Sequence, residues 1–239
     1  MKNKLLFAVL VGSLLFLAAC GGQPASKTQP ANSGKDPTAP TQQTEIENAP
    51  ASVMIDPALT TDTSGKEAIS YVYEGLVRLE NDQPVVVLAI DITPSADNLD
   101  YVVTLRPGVS FHDGTALNAD AVVTNFNRWF DPEHPLHGSG DYSAWVSNFG
   151  GFKGETDSSG KPKSEFDGIE KQNETTVILH LNQPDPDLLT KLSDPAFFIV
   201  SPAALQAAGF GTLKGQDGGT GPYKIGAWNN SKLTLEPFS

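Results

Sequence analysis

The sequence predicts a mixed α/β fold with several antiparallel strand pairs, and three observations carry that expectation. Tyr101, Val103 and Leu105 alternate with Val102, Thr104 and Arg106, the period of two of a half-buried strand, and the turn residues Ser95-Ala96-Asp97-Asn98 precede them. Residues 168–172 and 175–181 flank Asn173-Glu174 and have strong β propensity, which gives a further hairpin. Between the two hairpins, Val122, Val123, Phe126, Trp129 and Phe130 recur at helical spacing behind Asn118, a good N-cap. Strands that arrive in hairpins are not a regular βαβ repeat, so this is not a doubly wound parallel sheet.

Taken along the chain, residues 53–63 contain Asp56-Pro57, a turn signal that stops any preceding strand. Residues 66–76 place Ile69, Val72, Tyr73 and Leu76 on one helical face, with Gly75 where the helix should end. Strands are expected at 76–79, 85–93 and 99–105. The helix capped by Asn118 stops at Asp131-Pro132. Residues 149–166, rich in Gly, Ser, Lys and Asp, read as an exposed excursion. Leu188, Leu189 and Leu192 suggest a short helix, and 197–200 a buried strand. Ser201-Pro202 is an N-cap and first-turn pair opening a helix that Gly209 ends. A last hairpin, 223–228 with 233–236, turns at Asn229-Asn230. There is no internal repeat.

The N-terminus is of another kind. Lys2 and Lys4 precede an apolar run from residue 5 to residue 19, closed by Leu17-Ala18-Ala19-Cys20. At about 1.5 Å per residue the run reaches about 22 Å, short of the roughly 30 Å of a bilayer core, so it reads as a signal and not a spanning helix. The ending resembles a bacterial lipoprotein lipobox. That resemblance implies cleavage before Cys20, lipidation of its thiol, and an extracytoplasmic location in the cell envelope, anchored to the membrane by lipid alone. Residues 21–50 are mostly Gly, Gln, Pro, Ala, Ser, Thr and Asn with almost nothing to bury, and read as a disordered tether. The expected organisation is therefore a signal peptide at 1–19, lipidated Cys20 and its tether to 50, and a folded domain over 51–239.

Cys20 is the sole cysteine, so the sequence offers no disulfide and no thiolate metal site. Losing residues 1–19 removes Lys2 and Lys4 but no acid, which takes the net charge from −12 to −14. A body so acidic argues against nucleic acid or anionic lipid as a partner.

Each residue pattern that hints at chemistry also has a structural role. Phe111-His112-Asp113-Gly114 sets an imidazole beside a carboxylate, but Asp-Gly after a strand is turn chemistry and no Gly-x-Ser-x-Gly elbow occurs. His134 and His137 lie in a Pro-broken loop with no third ligand evident, and read as surface histidines, not as a metal site. Gly218–Gly221 lacks the Lys-Ser/Thr ending of a phosphate loop and reads as a tight turn. Trp129 belongs to the apolar helix face, whereas Trp145, among polar neighbours, is left open to a ligand. No cofactor is called for.

Several strings in order carry a resemblance. They are Tyr73-Glu74-Gly75-Leu76-Val77-Arg78-Leu79, Leu88-Ala89, Tyr101 through Thr115 with Leu105-Arg106-Pro107-Gly108, and Ala119-Asp120-Ala121-Val122. Thr175-Thr176-Val177, Phe198-Ile199-Val200-Ser201-Pro202 and Gly219-Thr220-Gly221-Pro222-Tyr223-Lys224 follow, with Trp228 and Leu235-Glu236 after them. The set is similar to the signature of extracellular solute-binding protein family 5, the peptide, dipeptide, nickel and oligosaccharide binding proteins of ABC importers. One departure is Asp91-Ile92, where the family usually has an aromatic residue shortly after the Leu-Ala pair.

The resemblance implies a type II periplasmic-binding-protein clamshell, which closes two lobes on its ligand by a hinge. Family members are about twice this size, so the expectation is the N-terminal lobe with the second lobe missing. It implies ligand contacts at Thr61, Asp62 and Thr63, and around Asp194 and Phe197. It also implies that a peptide or similar small solute is captured by a protein that is monomeric when complete and delivers it to permease subunits, without catalysis. The alternatives are a surface lipoprotein with an adhesive or structural role, and a lipidated hydrolase.

Overall fold

The computed structural model describes residues 40–47, 49, 52–212, 215, 217–229 and 231–238. The expected leader, Cys20 and the tether up to residue 39 lie outside the described residues. In chain order the elements are β1 (Thr44–Glu47), α1 (Thr63–Val72), β2 (Val77–Glu80), β3 (Gln83–Val86), β4 (Ala89–Pro94) and β5 (Asp100–Leu105). Then come α2 (Ala119–Phe130), α3 (Ser143–Phe149), β6 (Phe166–Asn173), β7 (Thr176–Leu181) and α4 (Leu188–Leu192). A 3-10 turn (Pro195–Phe197), α5 (Pro202–Gln206), β8 (Tyr223–Trp228) and β9 (Lys232–Pro237) complete the chain. Every strand pair is antiparallel, as expected.

The strands form a four-stranded sheet in the order β4-β5-β7-β6, a three-stranded sheet in the order β1-β9-β8, and the β2-β3 hairpin. On β5 and β7 the residues Tyr101, Val103, Leu105, Val177, Leu179 and Leu181 alternate inward, and α2 covers that face with Val122, Phe126 and Trp129. The result is an aromatic core. Trp129, Trp145, Phe149, Phe166 and Phe197 meet ring to ring at centroid separations of 4.5 to 6.3 Å, adding edge-to-face attraction to the burial of their large areas. A second core joins Ile46, Ile55, Ile69, Val72, Leu233 and Leu235, and so binds α1 to the three-stranded sheet.

Four differences from the sequence reading have physical causes. First, β1 lies inside the stretch read as tether: Ile46 is 2% exposed and pairs with Leu233. One apolar residue in a four-residue strand leaves no period to detect. Second, the segment 85–93 divides. β2 and β3 form a tight hairpin at Asn81 and Asp82, whose φ of 50° and 61° match the twist of a primed turn. Third, α1 ends at Val72 and not at Gly75; Gly75 instead allows a close approach, since a β-carbon there would stand 3.0 Å from the Phe198 ring. Fourth, residues 197–200 make only an isolated bridge, Glu74 to Ile199, beyond the 3-10 turn.

Candidate functional site

Thr61–Thr63 connect a turn to a helix. The Asp56 carbonyl accepts from Leu59 N (3.1 Å) and Thr60 N (3.0 Å), which closes the turn. The Asp62 carboxylate then accepts from Gly65 N at 2.7 Å and caps α1. Thr61 and Thr63 are exposed, on a segment fixed at both ends. Beneath it, the buried Asp56 carboxylate takes both terminal nitrogens of Arg128, from the last turn of α2, and also Ala58 N at 3.2 Å. Arg128 Nε donates to Leu136 O (3.1 Å), and its guanidinium lies 5.5 Å from the Tyr142 ring centre.

Asp194 stands apart from that segment. Its carboxylate accepts from Ala196 N (2.9 Å), capping the 3-10 turn, and it borders a hollow of about 330 Å³ with Leu79, Asn148, Thr190, Lys191 and Ser193. None of Thr61–Thr63 lines this hollow. Lys191 reaches Glu165 and Asp185, the latter at 2.8 Å. Partial burial would lower the pKa of its ammonium, but the hydrogen bonds it donates to Asp185 and Glu165 outweigh this and raise it. Phe197 does not sit in the hollow's wall. It is 3% exposed, with its ring between Trp129, Trp145 and Phe149, and so belongs to the core. A phenylalanine beside a turn gives no sequence sign of which way it faces.

The strings that carried the family resemblance converge at another place. His112 Nδ1 meets Asp217, His112 Nε2 meets the Gly221 carbonyl at 2.9 Å, and His112 N donates to Gly219 O at 2.8 Å. The Ser201 hydroxyl donates to Asp113, while Ser201 Oγ caps α5 by accepting from Ala204 N. Thr220 Oγ1 donates to Glu74 at 2.9 Å. Burial is the main cause that raises the Glu74 carboxyl pKa; the Thr220 bond and the charges of Arg78, Arg106 and His112 oppose it. Gly219 packs so closely that a β-carbon would fall 1.8 Å from the Val72 carbonyl oxygen.

This junction can join segments but cannot run a serine hydrolase. Both imidazole nitrogens of His112 already face acceptors, and Ser201 is bonded to a carboxylate instead of to a histidine. Beside it lies a polar hollow of about 400 Å³ bordered by His112, Asp113, Asp217, Lys224 and Trp228. Two sequence readings are corrected nearby. His137 is buried, not a surface residue: Nδ1 bonds to Arg128 O at 2.7 Å and the ring stacks on Tyr142 at 4.2 Å. Trp145 is 1% exposed and its Nε1 donates to Gly151 O, so it has no face open to a ligand. Among the described residues no group of three His, Cys, Asp or Glu side chains could hold a metal ion. The sequence reading missed Arg128 and Asp217, although a charged residue on the packed side of a helix, as at Arg128, signals a buried partner.

A family model described as bacterial extracellular solute-binding proteins, family 5 Middle, matches residues 83–239. The glutathione-binding protein GsiB of Pectobacterium atrosepticum is 32% identical over 191 residues, covering 77% of this chain and 32% of that protein. GsiB of Escherichia coli K12 is 32% identical over 178 residues, 74% of this chain and 30% of that protein. Among solved structures, HbpA2 of Haemophilus parasuis superposes with a TM-score of 0.61 at 27% identity, over 76% of this chain and 36% of that one. The periplasmic binding protein DppA of Helicobacter pylori, solved with the peptide STSA, gives 0.60 at 25% identity, over 74% and 35%. The chain thus spans about a third of the length of these relatives.

Proposed function

Because the chain belongs to the family 5 bacterial extracellular solute-binding proteins, we propose that it serves in substrate capture for an ABC importer, taking a peptide or similar small solute outside the cytoplasmic membrane and passing it to the permease. The fold is that of part of a type II periplasmic binding protein. The observation that carries the proposal is the family match over residues 83–239, supported by relatives named for glutathione and solved with a peptide. In this reading Thr61, Asp62 and Thr63 offer polar contacts to the ligand and Asp194 adds a carboxylate. Closure of one lobe on another would supply the differential affinity that drives delivery. Cys20 carries the lipid anchor, the complete protein is a monomer, and no bond is made or broken.

Calorimetric titration of the protein as its host produces it, against glutathione, dipeptides and the tetrapeptide Ser-Thr-Ser-Ala, tests the proposal. Saturable binding of at least one, at about micromolar affinity, is expected. Heat-silent titrations across the panel, with no shift in melting temperature, would sink the peptide reading.

A further inference from the structure

We infer that the Asp56–Arg128 pair is a positioning device that holds Thr61–Thr63 in the geometry a ligand meets; this rests on the proposed role of those three residues. Asp56 is 3% exposed and Arg128 4%, so both charges have left water. A buried ion pair gains little net stability, because desolvation offsets its attraction, whereas its forked geometry fixes distance and angle between the parts it joins. Here the parts are the end of α2 and the turn that leads into Thr61. The guanidinium bonds both carboxylate oxygens and, through Nε, the Leu136 carbonyl, which ties three segments together.

The turn is rigid beyond the pair itself. Asp56 Oδ1 also accepts Ala58 N, its carbonyl holds Leu59 and Thr60, and Thr60 Oγ1 lies 2.6 Å from Met54 O and 2.7 Å from Asp56 O. On the far side α1 cannot shift toward the turn, because Gly65 is pressed so near Met54 that a β-carbon would come within 2.4 Å of its carbonyl oxygen. Thr61–Thr63 are therefore strung between two fixed points, and Arg128 sets the first. A lysine in its place would keep the charge but not the fork.

The double variant Asp56→Asn with Arg128→Met removes both charges together, leaves none buried alone, and keeps an amide oxygen for Ala58 N. In the full chain, amide hydrogen exchange at residues 58–63 should quicken about tenfold or more while β5 and β7 exchange as in wild type. Unchanged exchange at 58–63, or equal acceleration through β5 and β7, would overturn the inference. With glutathione as probe, or Ser-Thr-Ser-Ala where glutathione is not bound, affinity should fall about tenfold in the double variant and in Arg128→Lys, with melting temperatures near wild type. Thr61→Ala with Thr63→Ala separates the two ideas. If that variant weakens binding and the Arg128 variants do not, the positioning inference alone fails; if it binds as wild type does, the ligand reading of the segment fails and the inference falls with it.

Discussion

At His112 the imidazole has an acceptor at each nitrogen, and its side chain is 3% exposed. His112→Ala removes the imidazole from the buried Asp217 carboxylate, leaves it the Ile225 N–H, and should cost about 2 to 3 kcal/mol, read by urea denaturation, while leaving ligand affinity unchanged. Glu74 gives a pH test. Burial is the main cause that raises its folded pKa above the ordinary value near 4.5, so the folded chain binds that proton more readily than the unfolded one. Its contribution is therefore present at low pH and is lost as pH rises from about 4.5 through the raised value. Glu74→Gln keeps an acceptor for Thr220; it should be more stable than wild type at pH 7, and the advantage should vanish below about pH 4. In the core, Phe126→Ala should cost about 3 to 5 kcal/mol, since Phe126 is 1% exposed and touches the Trp129 and Phe166 rings. Phe126 was legible because period places it. Asp217 was not, for its partner lies 105 positions away and pairing at that distance has no local sign.

Among the elements, α2 was the most legible, from its Asn118 cap to its stop at Asp131, because cap, apolar face and breaker agree. The β4-β5, β6-β7 and β8-β9 hairpins were legible for the same reason, with turn residues between alternating runs. The β2-β3 hairpin was hidden because Asn-Asp is a weaker signal than Asn-Gly for a primed turn. Asp82 has φ 61°, so Asp82→Gly should stabilise the domain by about 0.5 to 1 kcal/mol, seen as a rise in melting temperature. A fall would mean that the Asp82 side chain contributes more than its strained backbone costs. The short α3 was missed where Pro and Gly residues dominate its flanks, and with it the burial of Trp145. As for the proposed ligand contacts, the resemblance named the positions, but only the coordinates tell exposed Thr61 and Thr63 from buried Phe197.

For the molecule as a whole, the acidic charge argues against nucleic acid or anionic lipid as a partner and says little of the fold. Among the described residues no helix is long and apolar enough to cross a membrane. If Cys20 carries acyl chains, each buried methylene adds about 0.8 kcal/mol and attachment by two or more chains is effectively permanent. Cys20→Ala should then move the protein from the membrane fraction to the soluble one and abolish labelling by palmitate. Membrane association that survives the substitution would contradict lipid anchoring.

The β1-β9 pair joins nearly the first described residues to nearly the last, Thr44 facing Leu235 across the ladder. Such a contact closes the largest loop in the fold, and loop-closure entropy must be met before its hydrogen bonds and the burial of Ile46 can form. During synthesis from the N-terminus, β1 emerges before every other described strand and has no ladder partner among them until β9 follows. Until then the edge of β1 is unsatisfied and Ile46 lacks Leu233 across the ladder. The three-stranded sheet thus waits for the far end of its own ladder, and a ribosome stalled before residue 232 would leave the core beside α1 without Leu233 and Leu235.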